Sequence, residues 1–303
     1  MKKAYTDQVQ LLVRLLAHVT KENSLGLKGG TAINLFLRDV PRLSVDLDLV
    51  YLPLQDRVTS LRSINDSVDR ISSDVQRNVP NVTVRPVRLP GSDATVRLIV
   101  ASPNGTVKVE VSPILRGTVF GSETRPIAIA AAEEFGFVEA NLVAVPDILA
   151  GKLCAALDRQ HPRDLFDVEY ILDSGIMDER LRKAFLVYLI SHNRPMAELL
   201  APRERDLDRA FVEDFDGMTR DTVTVEQLNG IRHRLFSAIL PWLTNADREF
   251  LIGFKRGEPM WGQLGIEHVR DLPAVRWKQH NLDRMSPQAR RAAIRRLEVV
   301  LAP

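Results

Sequence analysis

Lys28-Gly29-Gly30-Thr31-Ala32-Ile33-Asn34, followed by Ser44-Val45-Asp46-Leu47-Asp48-Leu49, sets a tight glycine turn ahead of two carboxylates at strand spacing. Side chains alternate along a strand, so Ser44, Asp46 and Asp48 share one face, while Val45, Leu47 and Leu49 share the other and can enter a core. Upstream, Val9, Leu12, Val13, Leu16 and Val19 recur at helical spacing before a short Leu25-Gly26-Leu27 run into the turn. Downstream, Thr31 is placed to cap a helix carrying Ile33, Leu35, Phe36 and Leu37, which Pro41 closes before a strand over 44–51. The order is therefore helix, strand, glycine turn, helix, acidic strand.

Residues 56–78 carry Val58, Leu61, Ile64, Val68, Ile71 and Val75 at spacings of three and four, which predicts an amphipathic crossover helix. Strands over 82–89, 95–101 and 106–112 follow, separated by Pro-Gly and Pro-Asn-Gly turn signals. From Val145-Pro146 the character changes. Helices are expected over 146–159, 162–172, 177–192, 225–255 and 287–301. The fold class is α+β: a mixed sheet with flanking helices over 1–144, then a mainly helical domain over 145–303 that is expected to contribute Lys152 and Asp164 to the active cleft.

With 303 residues and 45% hydrophobic content the chain can bury a substantial core, so disorder is not its default state. A formal charge of +2 leaves a mildly basic balance that suits phosphates without implying a general nucleic-acid coat. A single cysteine, Cys154, rules out an intramolecular disulfide and a cysteine-rich zinc site, and fits a reducing compartment. The first residues lack the apolar stretch of a signal peptide and no run approaches a membrane span, so a cytoplasmic location without membrane attachment is expected.

Without Cβ atoms, Gly29 and Gly30 allow close backbone approach, and amides opening the next helix can bind phosphate oxygens, with the Thr31 hydroxyl beside them. Taken alone, a glycine pair is usually just a turn. Two carboxylates on one strand face repel unless a cation or proton compensates, which suits a hard divalent ion such as Mg²⁺ or Mn²⁺; taken alone, alternating acids are usually a solvated sheet face. Together the two features support each other. Glu110, opposed in direction to Val107, Val109 and Val111, is a candidate third carboxylate for the metal, and an exposed Lys108-Glu110-Ser112 face reads equally well.

Lys152 is followed by Arg163-Asp164-Leu165-Phe166-Asp167, with Pro162 opening the second helix. Asp164 and Asp167, three apart, share a helix side. They suit the positive N-terminal turn as they stand. In the functional reading Lys152 meets a triphosphate, and Asp164 orients Lys152 or an incoming hydroxyl.

These segments, in this order, resemble the AbiEii/AbiGii-type nucleotidyltransferase toxins, which include MenT-like members of type IV toxin–antitoxin systems. The motifs span about residues 20–175, with a looser likeness around Leu243-Thr244-Asn245-Ala246-Asp247-Arg248-Glu249-Phe250. The resemblance implies a DNA polymerase β-like nucleotidyltransferase core, an NTP substrate and a cognate AbiEi-type antitoxin. It implies phosphate handling by Gly29, Gly30 and Thr31, metal binding by Asp46 and Asp48, triphosphate contact by Lys152 and an essential acidic role for Asp164, with Asp167 and Arg163 secondary. Ser44, next to the acids, is a candidate regulatory position, since a phosphoryl group there would add about −1.5 to −2 charge and compete with nucleotide phosphate; an ordinary polar strand residue is the plainer reading.

The expected reaction is transfer of a nucleoside monophosphate from an NTP to an acceptor hydroxyl, with the 3′ end of tRNA the leading acceptor and blocked aminoacylation the result. The alternatives are a nucleotidyltransferase acting on a small molecule or protein, and a non-catalytic nucleotide- or partner-binding module. Replacing Asp46 or Lys152 is expected to abolish transfer and leave the fold intact. Between Arg276 and Arg296 stand seven basic residues and one acid, Asp283, a cluster suited to RNA or simply to a solvated helix face, with Ala289, Ala293, Leu297 and Leu301 turned inward. Trp277 is expected to pack, or else to stack on a base.

Overall fold

The computed structural model describes residues 1–302. Two compact units emerge from the contacts: Met1–Ile148 with Phe215–Thr222, and Leu149–Asp214 with Val223–Pro303. The first begins with α1 (Lys3–Val19), β1 (Leu25–Lys28) and α2 (Gly29–Ala32), which continues as a π-helical turn over Ile33–Leu37. Then come β2 (Asp46–Tyr51), α3 (Arg57–Asn78), β3 (Thr83–Arg88), β4 (Thr95–Ser102), β5 (Gly105–Arg116), β6 (Ser122–Pro126), α4 (Ile129–Phe135) and β7 (Glu139–Val143).

The seven strands form one mixed sheet in the order β3-β4-β5-β2-β1-β7-β6. β2 runs parallel to β5, and β1 parallel to β7. One face is apolar: Leu47 and Leu49 of β2, Val107, Val109 and Val111 of β5, and Leu98 and Val100 of β4 are all buried. α1 and α3 lie against these strands. Burying such aliphatic side chains stabilises the unit by roughly 1.5–3 kcal/mol each before chain entropy is counted. The opposite face carries the polar alternates, among them Asp46, Asp48, Lys108 and Glu110, each partly exposed.

Two local expectations are revised. The helix after the turn starts at Gly29 rather than beyond Thr31, and Thr31 does not cap it; its hydroxyl is bonded to the acidic strand instead. β2 begins at Asp46, not Ser44, because Leu43 N–H donates to Met218 O at 2.8 Å and Arg42 bridges to Thr219, drawing that stretch away from the sheet. β6 and β7, which the sequence reading omits, are short, and β6 shows the polar, exposed pattern of a loop.

The second unit is mainly helical. α5 (Val145–Arg159) enters it at Leu149, and it continues with α6 (Pro162–Asp173), α7 (Glu179–Ser191), α8 (Met196–Leu200), α9 (Asp208–Asp214), α10 (Val225–Trp242), α11 (Asn245–Arg256), α12 (Pro273–Asp283) and α13 (Pro287–Leu301). The helical pattern expected over 225–255 is carried by two helices. Thr244 accepts from Asp247 N–H while the Asp247 carboxylate accepts from Thr244 N–H, a reciprocal cap that starts α11 afresh. Phe250 and Phe254 are buried, and both meet Trp261 edge-on. No helix among the described residues is long and apolar enough to cross a membrane.

Candidate active site

Antiparallel pairing of β1 with β2 sets Lys28 directly opposite Asp48, so the chain leaves β1 at the level of the acids. Gly29 then turns with φ +76°, in the left-handed region, and a Cβ on it would lie 2.7 Å from Asp48 Oδ2. That position requires glycine on both counts. A Cβ on Gly30 would lie 2.8 Å from the Arg42 guanidinium and 3.0 Å from Ser44 Oγ. Thr31 Oγ1 donates to Asp46 O at 2.6 Å and lies 3.0 Å from Ser44 Oγ. Asn34 Nδ2 donates to Gly30 O at 3.0 Å, holding the turn from behind. The glycine turn and the acidic strand are thus one bonded piece of structure.

Arg42 escaped the sequence reading. It is 2% exposed, its Nη1 donates to Leu43 O at 2.8 Å, and it backs the turn at Gly30. The only sign of it was a charged residue in the apolar run Val40-Pro41-Arg42-Leu43. Ser44 is 7% exposed, so modifying its hydroxyl would require this segment to open first.

Parallel pairing of β2 with β5 puts Glu110 opposite Asp48 and Lys108 opposite Asp46. Arg97 of β4 is the register partner of Glu110. One row across four strands therefore reads Arg97, Glu110, Asp48, Lys28. Arg97 Nη2 donates to Glu110 Oε1 at 2.7 Å, and Lys108 Nζ lies 3.4 Å from Glu110 Oε2. The hydrogen bond to Glu110, and after it the charges of Glu110 and Asp46, raise the pKa of Arg97. Among the described residues no three His, Cys, Asp or Glu side chains are already gathered to hold a metal. Two strand carboxylates do fit Mg²⁺, which takes one or two protein carboxylates and completes its octahedron with water and substrate phosphates.

Lys152, Asp164 and Asp167 come together within the helical unit. Lys152 Nζ lies 2.9 Å from Asp164 Oδ1 and 2.8 Å from Asp167 Oδ2, and Arg159 Nη2 donates to Asp164 Oδ1 at 3.0 Å. All three are buried, with side-chain exposures of 6%, 1% and 0%. Pro162 opens α6, His161 Nδ1 accepts from Arg163 N–H, and Asp164 falls in the first turn, where the helix dipole favours its charge. Burial alone would push the Asp164 carboxyl up, but Lys152 and Arg159 outweigh it and hold it well below the usual carboxylate range. Cys154 is buried and its thiol is pushed up by that burial, which makes it a packing residue, not a nucleophile.

On α12 and α13, Leu297 and Leu301 are buried as expected, whereas Ala289 is exposed. Arg276 pairs with Asp271 and Arg290 with Asp283, while Arg284, Arg291, Arg295 and Arg296 form no ion pair among the described residues. Lys278 Nζ donates to His192 O, and burial, with the Lys255 charge, brings its pKa down to about 8. Trp277 does not pack: it is 56% exposed and lies stacked on His280 with ring centroids 6.0 Å apart.

This fold is similar to that of MenT4, a nucleotidyltransferase toxin from Mycobacterium tuberculosis H37Rv, with a TM-score of 0.61 and 19% identity over 93% of this chain and 95% of that one. The class is thus the nucleotidyltransferase fold. A sequence profile described as "Nucleotidyl transferase AbiEii toxin, Type IV TA system" matches residues 10–260, and the chain belongs to that family. Membership brings with it a transferase activity on an NTP and an antitoxin partner. No curated protein sequence matches the chain.

Proposed function

We propose that the chain transfers a nucleoside monophosphate from an NTP to an acceptor hydroxyl, with the 3′ end of tRNA as acceptor and loss of aminoacylation as the consequence, in the cytoplasm and under the control of an AbiEi-type antitoxin. The observation that carries this reading is the contact of the glycine turn with the acidic strand: Gly29 against the Asp48 carboxylate, and Thr31 bonded to the Asp46 backbone carbonyl. In the proposed reaction the acceptor oxygen bonds to the α-phosphorus and the bond to the bridging oxygen breaks. Pyrophosphate leaves with the electron pair and the hydroxyl proton passes to solvent.

Asp46 and Asp48 would hold Mg²⁺ or Mn²⁺, with Glu110 a candidate third carboxylate; when bound, the ion supplies charge neutralisation at nucleophile and leaving group. The Gly29, Gly30 and Thr31 turn would grip phosphate oxygens. Lys152 would meet the triphosphate, and Asp164 would orient it, with Asp167 and Arg163 in support. This part of the reading rests on motif order and family membership. A phosphoryl group on Ser44 would put negative charge beside Thr31 and Asp46 and oppose nucleotide binding. Purified protein incubated with total RNA and each labelled NTP tests the whole reading. We expect label in tRNA-sized RNA and a loss of at least about 10²-fold in Asp46→Asn, the scale seen when one transition-state electrostatic contact is removed. Label in protein or in a small product would favour the other acceptor classes. An Asp46→Asn variant as active as the parent would end the metal mechanism.

A further inference from the structure

Three carboxylates and three cations share the polar face of the sheet: Asp46, Asp48 and Glu110 with Lys28, Lys108 and Arg97. Such a face needs internal counter-ions before any metal arrives, because neighbouring carboxylates left alone repel or take up a proton. Glu110 is committed to two of these cations. Arg97 binds one of its oxygens at 2.7 Å and Lys108 approaches the other at 3.4 Å. Glu110 is also the register neighbour of Asp48, so its side chain starts from the same row as the candidate metal ligand. Arg97 is held on a strand, and its Nε is buried without a hydrogen-bond partner.

We infer that Arg97 is a positioning residue, the resident counter-ion of Glu110, and that a divalent cation on Asp46 and Asp48 gains Glu110 as a ligand only by displacing the Arg97 guanidinium. The inference rests on the metal reading of Asp46 and Asp48 given above. Metal affinity at the acidic strand is then set by competition for one carboxylate, and Arg97 keeps that affinity low until a substrate phosphate adds its own oxygens. Lys108 lacks the fork to replace Arg97, since it reaches only the far oxygen at the longer distance.

The test is Mn²⁺ binding to the full chain, followed by electron paramagnetic resonance without nucleotide, so that no turnover enters the readout. Arg97→Gln should bind Mn²⁺ about five-fold tighter than the parent, the scale of a partly exposed ion pair removed from competition. Arg97→Lys, which keeps the charge, should stay within about two-fold of the parent. In a Glu110→Gln background, Arg97→Gln should give no gain. An unchanged or weaker affinity in Arg97→Gln overturns the inference, and so does an equal gain with Glu110 absent, since that would be charge at a distance. Asp46→Asn separates the two levels: if Mn²⁺ binding survives it, the metal reading itself fails, whereas its loss there with no Arg97 effect sinks only the counter-ion role. Circular dichroism melts of each variant confirm that folded protein is compared.

Discussion

Lys152 carries the heaviest single-residue consequence. From the motifs alone its replacement is expected to leave the fold intact, but its ammonium bridges Asp164 and Asp167 from a side chain that is 6% exposed, against partners at 1% and 0%. Lys152→Met would take the ammonium away from two buried carboxylates, and breaking a buried pair in this way costs on the order of 3–5 kcal/mol. We expect Lys152→Met to lose about 3 kcal/mol in urea denaturation at pH 7, so that lost activity in this variant must be read beside its stability. The acid limb carries a second signature. The folded-state pKa of Asp164 is depressed, so its contribution is complete above the ordinary aspartate value of about 3.9 and drains away as pH falls through the lower folded value. Asp164→Asn should therefore flatten the parent's loss of stability below about pH 4, measured by denaturation across pH. A parallel pH profile in that variant would mean the cluster is not charged as described.

Among the elements, α11 shows how a short signal can divide a long apolar pattern. The periodicity over 225–255 runs through the break, yet Leu243 and Thr244 leave the helix and the Thr244–Asp247 cap restarts it. Thr244→Ala removes one half of that cap and should cost about 1 kcal/mol, read as a lower melting temperature. Unchanged stability would mean that packing of Phe250 and Phe254, not the cap, fixes where α11 begins. The turn between β1 and α2 shows the opposite balance. Its two glycines were legible as a turn, but the need for glycine comes from partners distant in sequence: the Asp48 carboxylate for Gly29, and the Arg42 guanidinium with Ser44 for Gly30.

For the whole molecule, the first unit is discontinuous. Phe215–Thr222 belongs with Met1–Ile148, and its backbone supports the segment just before the acidic strand: Leu43 N–H donates to Met218 O at 2.8 Å and Arg220 N–H to Pro41 O at 3.2 Å. Lys2 N–H donates to Gly217 O at 2.7 Å in the same stretch. A fragment ending at 148 loses all three contacts. We expect it to melt at a markedly lower temperature than the full chain, or not to fold, and to regain stability when a peptide spanning 215–222 is added. A fragment as stable as the full chain would show that the returning segment is dispensable. A domain boundary drawn near residue 144 from composition misses this, because nothing in local hydrophobic pattern marks a segment that pairs with residues so far back in the chain.

Local chemistry fixed much in advance: the glycine turn, the Asp-x-Asp strand, the apolar faces of α1 and α3, and the proline starts of α6 and α13 all follow from side-chain periodicity and backbone preference, which act over a few residues. Those same short-range rules made the family recognisable. Which charges meet was decided by pairing register and helix packing. That Glu110 stands beside Asp48 in the grip of Arg97, that Arg42 lies buried behind Gly30, and that Lys152 is shared by two aspartates depend on residues brought together from separate strands and helices. Coulomb and hydrogen-bond energies are set by distances of a few ångströms, and only the folded chain establishes those distances.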